Sequence, residues 1–413
     1  MNFFLIFTGD KHRITKYYQS MSTWQGKFLP DDFDRIYQKY FKRLKENNEL
    51  KFDPSGWLNT QSQASDLYAF NKEFTGKTVT PYYSDYSDQL NSYKASISKL
   101  LFAWDNYHYP NNEYTLCSSV TLGSLILLSV LSKRNIQNVF FETPSYYASI
   151  NQAKTLGMNT YLIPTYANEN FSLKLNFSDL NNYKPYILWL TQPRMSLGIN
   201  QAQETIMKIY DSIPKDCYIV IDEASEQLFP SNLSVFSPDK FPRILKIRNF
   251  YKGMGVNGIR LSFITHCQSF QKEIQREIEN FQGAVDYFSL LNTTYYGENI
   301  DRFKLMMSIA NEQTTSLRRE MSRRYGGEKL SFSTLENGYI GTFAVDFSSF
   351  PFSYRVNREN LLKHCFQKGV SIILGATMKF AHHEQKEFVR VNYFKSSFEI
   401  EGALEVINNY LSE

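Results

Sequence analysis

The sequence has few cysteines, little net charge and no long apolar run, and each shortage argues against a class of protein. Four cysteines occur in 413 residues, without a Cys-x-x-Cys pair: Cys117, Cys217, Cys267 and Cys365. This spacing argues against a disulfide framework or a zinc knuckle. The 45 basic and 41 acidic residues are scattered and leave a net charge of +4, which is too little for a dedicated nucleic-acid binder.

The apolar runs are also too short for a signal peptide or a membrane span. Met1–Phe7 has no basic segment before it and is shorter than the apolar region of a secretion signal. The longest internal run, Leu122–Leu131, includes a glycine and two serines and is too short to cross a bilayer. We therefore expect a soluble, cytoplasmic protein with no membrane partner.

What the chain does have is the composition of a globular protein, with 42% hydrophobic, 21% charged and a high 16% aromatic residues. A chain of 413 residues exceeds the usual size of one hydrophobic core, so two domains are expected. Composition and pattern divide it into an N-terminal extension with part of a small domain (1–110), a large α/β domain (111–310) and a small α+β domain (311–413).

The large domain is predicted from short apolar runs that alternate with stretches of helical length. The runs rich in Val, Ile, Phe and Tyr are Asn138–Phe141, Thr160–Ile163, Tyr186–Leu190, Tyr218–Ile221 and Ile259–Ile264. Apolar strands without clean alternation predict a mainly parallel sheet buried on both faces, with its functional site beyond the carboxyl ends of the strands. Helices are predicted over 31–45, 93–103, 357–368 and 398–411, and strands over 340–347 and 388–394.

Two segments combine unusual residues at these strand ends. Asp222 directly follows four apolar strand residues, where a carboxylate needs a cation or a strong donor. Lys252 precedes three glycines in six residues, and Arg260, which we expect to open a strand, comes eight positions after it. A partly buried lysine suits Schiff-base chemistry, and an arginine suits phosphate. A helix-capping aspartate and a glycine turn between surface cations are the alternative readings.

Three further positions have a functional and a structural reading. Thr115–Thr121 leads into a helix, where backbone N–H groups bind anions, although simple capping is the commoner use of such residues. Tyr146 follows a predicted strand and suits either stacking on a planar ligand or packing. Arg390 interrupts an apolar strand and therefore needs an anion, either an internal carboxylate or a substrate.

Together and in this order, these residues resemble the class I/II aminotransferases of the fold-type I pyridoxal-phosphate enzymes. The most specific match is a lysine followed eight residues later by the arginine of Gly-x-Arg, here Lys252, Gly258 and Arg260. The resemblance spans roughly residues 80 to 413. It implies a large domain of the pyridoxal-phosphate transferase type with a mainly parallel central sheet, a smaller α+β C-terminal domain, and pyridoxal 5′-phosphate as the cofactor.

The resemblance also implies a role for each matching residue. Lys252 would hold the cofactor as an internal aldimine and then carry the proton. The other positions assigned to the cofactor are Asp222 at the pyridine nitrogen, Arg260, Ser118, Ser119 and Val120 at the phosphate, Tyr146 on the ring, Asn249, Ser225, and Tyr86 lent across a homodimer interface. Arg390 would bind the substrate α-carboxylate, and Gly56 is assigned to the substrate as well.

The sequence departs from the family pattern at three cofactor contacts. The Asn-Pro-x-Asn-Pro-x-Gly segment reads Gln192–Gly198, which places Met195 where the asparagine that bonds the ring oxygen normally stands. The tyrosine that usually follows Asp-x-Ala is Ser225, and the Ser-x-Ser segment before the lysine is Asn249–Tyr251. Cofactor binding is expected despite these changes, which leave reactions other than transamination open.

The function predicted from this pattern is a pyridoxal-phosphate-dependent aminotransferase that acts on an amino acid and a keto acid. A lyase, decarboxylase, cyclase or racemase on the same fold is the alternative, because these reactions share the cofactor and differ in the bond that breaks. A cofactor-binding protein without catalysis is the third reading. A homodimer is expected, and the identity of the substrate is left open.

Overall fold

A computed structural model describes residues 41–56, 59, 86–333, 336–381 and 385–412, without the side chains of residues 86–92 and 376. The first ten positions of the helix predicted over 31–45 therefore lie outside the described residues. Its end is a short helix, α1 (Lys42–Glu46).

The centre of the structure is a seven-stranded sheet. Its strands in chain order are β1 (Tyr114–Cys117), β2 (Asn138–Glu142), β3 (Asn159–Ile163), β4 (Tyr186–Thr191), β5 (Tyr218–Glu223), β6 (Ile244–Asn249) and β7 (Ser262–Thr265). They lie in the order β1-β7-β6-β5-β4-β2-β3. Strand β7 pairs antiparallel with β1 and β6, and the other described pairs of this sheet are parallel. The prediction of a mainly parallel α/β sheet is confirmed.

Helices cover both faces of this sheet. They are α2 (Tyr86–Asp105), α3 (Val120–Lys133), α4 (Tyr147–Thr155), α5 (Phe177–Leu180), α6 (Gln203–Ser212), α7 (Gln271–Phe281) and α8 (Tyr287–Glu298). Successive residues of β4 enter opposite cores: Trp189 lies in the core with α2 and α3, whereas Leu188 and Leu190 lie in the core with α6. Because both faces of the strand are buried, its sequence shows no polar alternation.

A smaller sheet follows the long helix α9 (Ile300–Tyr325). It consists of β8 (Leu330–Phe332), β9 (Ile340–Asp346) and β10 (Lys386–Asn392), all antiparallel, with helices α10 (Tyr354–Gln367) and α11 (Ser397–Ser412). Helix α9 contributes Met307 to the core of the large sheet and Met321 to the core of the small one. Phe41, just before α1, also packs in the small core.

Single turns of 3-10 helix complete the described elements, at Ala167–Glu169, Asn181–Tyr183, Lys252–Met254, Gln268–Phe270 and Gly375–Met378. The predicted strand at Ile259–Ile264 begins later, at Ser262, because the glycine turn extends to Gly258. Arg260 therefore precedes the strand that we expected it to open. Among the described residues, every helix is too short or too polar to cross a bilayer.

Candidate active site

The end of β5 carries a buried carboxylate. Asp222 is 6% exposed, and its Oδ1 accepts the backbone N–H of Ala224 at 3.0 Å. Burial raises the pKa of Asp222 to about 6, and the positive charge of Lys252 opposes that rise. The carboxylate therefore lies at the carboxyl end of the sheet in a place that favours a cationic partner.

Lys252 lies in the turn that follows β6. The side-chain Oδ1 of Asn249 accepts the backbone N–H groups of Tyr251 at 2.9 Å and of Lys252 at 2.8 Å, which holds the turn in place. Burial lowers the pKa of Lys252; Asp222 opposes this effect, and the charges of Arg390 and Arg260 add to it. A lysine with a lowered pKa has a larger fraction of neutral amine, which is the form that attacks a carbonyl carbon.

The glycines of this turn permit a close approach to a neighbouring segment. A Cβ added to Gly253 would lie 2.5 Å from the carbonyl oxygen of Glu226 and 2.9 Å from the Cε of Met307. Gly255 has a φ of 80°, which favours glycine. The turn that carries Lys252 is thus held against the segment that follows Asp222.

The start of α3 is a candidate phosphate site. Ser119 is its N-cap, and the Ser119 hydroxyl accepts the N–H of Leu122 at 3.1 Å. The N–H of Ser118 donates to Oε1 of Gln282 at 2.7 Å, so an anion that used this N–H would displace the Gln282 oxygen. Arg260 is exposed and its backbone N–H donates to Ser289. Helix N–H groups and a guanidinium are both groups that suit a phosphate.

Tyr146 lies between β2 and α4, at the same edge of the sheet as Asp222, where the parallel strands end. It is half-buried, and its ring centroid is 5.1 Å from that of Tyr147. Burial raises the pKa of Tyr146, and the negative charge of Asp222 contributes to the rise. The tyrosine therefore lies within electrostatic range of the carboxylate, as a ring-stacking residue would.

Arg390 lies in the middle of β10 and is 2% exposed. Its Nε donates to the carbonyl oxygen of Ser55 at 3.0 Å, and its NH2 group donates to the same oxygen. Burial lowers the pKa of Arg390 to about 10, and the charges of Tyr339 and Asp53 oppose this effect. A buried guanidinium that meets a carbonyl dipole still favours an anionic ligand.

Residues 53–56 and Asn59 connect the small sheet to the lysine turn. The Asn392 side chain donates to the carbonyl oxygen of Gly56 at 3.0 Å and to Oδ1 of Asn59 at 2.8 Å. The Asn59 side chain in turn donates to the carbonyl oxygen of Gly255 at 2.7 Å. Gly56 thus lies beside the strand of Arg390, in a segment that contacts the turn of Lys252.

Comparison with known proteins identifies the family. The model of the family "Aminotransferase class I and II" matches residues 76–300, which is more than half of the chain. The chain belongs to this family. Within the described residues, no group of three or more His, Cys, Asp or Glu side chains is placed to hold a metal ion.

Two curated proteins with similar sequences are both named for the same activity. A histidinol-phosphate aminotransferase of Buchnera aphidicola subsp. Cinara cedri is 25% identical over 203 residues, which cover 49% of this chain and 57% of the relative. Histidinol-phosphate aminotransferase 2 of Legionella pneumophila (strain Lens) is 26% identical over 144 residues, 33% of this chain and 38% of the relative. The match spans about half the length of these relatives or less.

Solved structures of aminotransferases share the fold over almost the whole chain. An aromatic aminotransferase from Pyrococcus horikoshii superposes with a TM-score of 0.72 at 16% identity, covering 90% of this chain and 98% of that one. An aspartate aminotransferase from Thermotoga maritima superposes with a TM-score of 0.73 at 15% identity, covering 98% of this chain and all of that one (100%). At these identities the similarity establishes the fold, which agrees with the prediction.

The positions that depart from the family pattern are filled by other contacts. Met195 packs beside an apolar cluster that includes Phe171, Met378 and Phe388, and its N–H donates to the Thr191 hydroxyl at 2.9 Å. Ser225 is half-buried, and its carbonyl oxygen lies against Gly338. Apolar packing thus replaces a polar side chain at the Met195 position.

The structure brings together six of the assigned residues. Backbone or electrostatic contacts connect Asp222, Lys252, Arg260, Tyr146, Asn249 and Arg390. The side chain of Tyr86, the first residue of α2, lies outside the described side chains. Sequence reasoning missed Gln282, because its contact with Ser118 joins residues 164 positions apart and no local motif signals it.

Proposed function

We propose that this chain is a pyridoxal-phosphate-dependent aminotransferase that acts on an amino acid. The observation that carries the proposal is the convergence of an amine, a carboxylate and a guanidinium. The charges of Asp222 and Arg390 both act on Lys252, although the two residues are far apart in the sequence. This combination suits the family's chemistry better than it suits a structural ion-pair network, because the lysine is only half-buried and lies at the start of a glycine-rich turn.

The residues fit the three functional parts of pyridoxal 5′-phosphate. Asp222 would hold the ring nitrogen, whose positive charge would stabilise the buried carboxylate. The N-terminus of α3 with Arg260 would hold the phosphate, and Tyr146 would pack on the ring. When bound, the cofactor supplies an electron sink that stabilises negative charge at the α-carbon of the substrate.

The remaining chemistry falls to the side chains of this protein. Arg390 would bind the α-carboxylate and so orient the substrate. Lys252 Nζ would take the proton from the α-carbon, because a lowered pKa leaves more of the amine unprotonated. Asp222, when ionised, would keep the ring nitrogen protonated.

The test is the absorption spectrum of the purified protein with pyridoxal phosphate, before and after borohydride. We expect a yellow band that borohydride removes and a covalent product at Lys252 in the peptide mass spectrum. Lys252→Ala should show neither. Lys252→Arg is the matched control, because it keeps a positive charge beside Asp222 and cannot be trapped. If borohydride leaves no cofactor on Lys252, the proposal is wrong.

The transfer reaction is then tested by a screen on the same band. The amino donors are the standard L-amino acids and histidinol phosphate, which the names of the curated relatives indicate. An aminotransferase converts its cofactor to the amine form with a donor alone and recovers the band with a keto acid. Transamination is supported if a donor shifts the band and a keto acid then restores it.

A second candidate is a lyase, decarboxylase or cyclase on the same fold. The apolar surroundings of Met195 favour it, because the position that normally supplies a polar contact to the ring is filled by a thioether. Such an enzyme would release product continuously without an added keto acid. The same screen, followed by mass spectrometry of the released product, separates the two reactions.

We also infer a homodimer, because sites of this family are completed by a neighbouring subunit, here through Tyr86. Light scattering should give twice the chain mass, and Tyr86→Phe should weaken the affinity for pyridoxal phosphate. A monomer that binds the cofactor with full affinity would refute this arrangement.

A further inference from the structure

Tyr339 is a buried tyrosine beside the candidate site for which neither the sequence pattern nor the family assigns a role. It is fully buried (0% exposed), and its hydroxyl has no hydrogen-bond partner among the described residues. A buried hydroxyl without a partner is unfavourable, so its presence calls for an explanation.

The residue is held rigidly at the start of β9. Its carbonyl oxygen accepts the backbone N–H of Tyr393 at 2.8 Å, and its ring centroid lies 4.8 Å from that of Phe394. These contacts fix the backbone and the ring next to β10, the strand that carries Arg390. Because they involve the backbone and the ring, they leave the hydroxyl available.

The preceding residues hold Tyr339 against the two segments that depart from the family pattern. Gly338 has a φ of 79°, and a Cβ added there would lie 2.8 Å from Cγ of Pro193 and 3.1 Å from the carbonyl oxygen of Ser225. The Asn337 side chain accepts the N–H of Gln227 at 2.9 Å and also donates to Glu226. Tyr339 therefore lies where the usual polar contacts of the family have been replaced.

The charges around the hydroxyl are those of the candidate site. Burial raises the pKa of Tyr339; the positive charge of Arg390 opposes the rise, and Tyr146 and Asp222 add to it. Arg390 is the charged neighbour with the largest effect. The phenol and the guanidinium are both donors, and an anion between them would accept from each.

We propose that Tyr339 is a substrate-binding residue whose hydroxyl donates a hydrogen bond to the carboxylate that Arg390 binds. This inference rests on the proposed function. Bound substrate would give the buried hydroxyl the partner that it lacks among the described residues.

The experiment compares wild-type and Tyr339→Phe holoenzyme by titration of the cofactor band. The probes are the L-amino acids that change the band, each paired with the amine that lacks its carboxylate, for example L-phenylalanine with 2-phenylethylamine. Loss of a buried hydrogen bond to a carboxylate should weaken amino-acid binding about tenfold to a hundredfold. The amine and pyridoxal phosphate should bind within about twofold of wild type, because neither uses this bond.

Tyr393→Phe is the matched control. Tyr393 is also buried, and its hydroxyl likewise lacks a partner among the described residues, but the charge beside it is that of Arg318. Tyr393→Phe should leave the amino-acid affinity unchanged. The urea midpoint of cofactor-free Tyr339→Phe should equal or exceed that of wild type, since the substitution keeps the ring and removes an unpartnered hydroxyl.

The outcomes separate this inference from the proposed function. Unchanged amino-acid affinity in Tyr339→Phe, with a normal wild-type band, would overturn the role of Tyr339 and leave the proposed function standing. Equal weakening of the amine or of pyridoxal phosphate would also overturn it, because the hydroxyl would then serve the cofactor. A wild-type protein without a band would refute the proposed function and this inference together.

Discussion

Asp222→Asn should stabilise the cofactor-free protein while it weakens the cofactor complex. Folding buries the carboxylate and raises its pKa from 3.8 to about 6 despite the opposing charge of Lys252. A raised carboxyl pKa means that the folded protein holds the proton more tightly than the unfolded chain does. Its contribution to stability is therefore fully present below pH 3.8 and is lost as the pH rises to about 6.

The size of the effect follows from the same shift. Above the folded pKa, the ionised carboxylate destabilises the folded state by about 3 kcal/mol, at about 1.4 kcal/mol for each pKa unit. Asparagine has nearly the same shape and no charge, so the variant should gain most of that energy. The gain should be below about 1 kcal/mol near pH 4 and should reach about 3 kcal/mol near pH 7.5.

The assay is urea unfolding of wild type and variant, both without cofactor, at about pH 4 and about pH 7.5. Asp216→Asn, at an exposed carboxyl ahead of the same strand, controls for the change in net charge. The reasoning would be refuted if the stability difference between the two proteins were the same at both pH values. It would also be refuted if wild type were more stable than Asp222→Asn at the higher pH. In the presence of pyridoxal phosphate the order should reverse, because Asp222 then gains the charge of the ring nitrogen.

Three further substitutions test the site and its support. Ser119→Asp keeps a capping oxygen and adds a negative charge, so pyridoxal phosphate should bind at least about tenfold more weakly at nearly unchanged stability; an unchanged affinity would exclude a phosphate there. Gly253→Ala should lower the free energy of unfolding by about 1–3 kcal/mol, because its Cβ would clash with the carbonyl oxygen of Glu226. Gly258→Ala should leave that free energy unchanged, because a Cβ there has open space. Arg248→Met removes the buried cation that pairs with Glu223 and that shares Asp105 with Lys246, and it should lower the free energy of unfolding by about 3–5 kcal/mol, measured by urea unfolding.

Strand β6 shows why part of the sheet could not be predicted. Lys246 and Arg248 interrupt its apolar pattern, yet they are 1% and 0% exposed. Arg248 pairs with Asp105 and Glu223, and Lys246 lies 3.6 Å from Asp105. Because Asp105 comes from α2, about 140 residues earlier, no local window contains the charge that makes these cations tolerable in a core.

The surroundings of Arg390 show the same limit. The sequence places an arginine within an apolar strand and so indicates an anion, but its observed contacts come from Ser55, 335 positions away. Tyr339 is one of 29 tyrosines and lies in no motif. Its relevance depends on contacts between distant segments: its carbonyl oxygen accepts the N–H of Tyr393 beside the strand of Arg390, and Gly338 lies against Pro193 and Ser225.

The sequence by itself determined the features whose signals are local. Apolar runs separated by helical lengths determined a mainly parallel sheet, and the spacing from Lys252 to Arg260 indicated the family. Asp222 was found for the same reason, since one strand and its end lie within a few residues. The tertiary structure alone decided which distant segments surround these residues: residues 53–56 and Asn59, Gln282 at the start of α3, and Tyr339 next to the strand of Arg390. Such contacts depend on how strands and helices pack, and the side chains involved have no fixed separation along the chain.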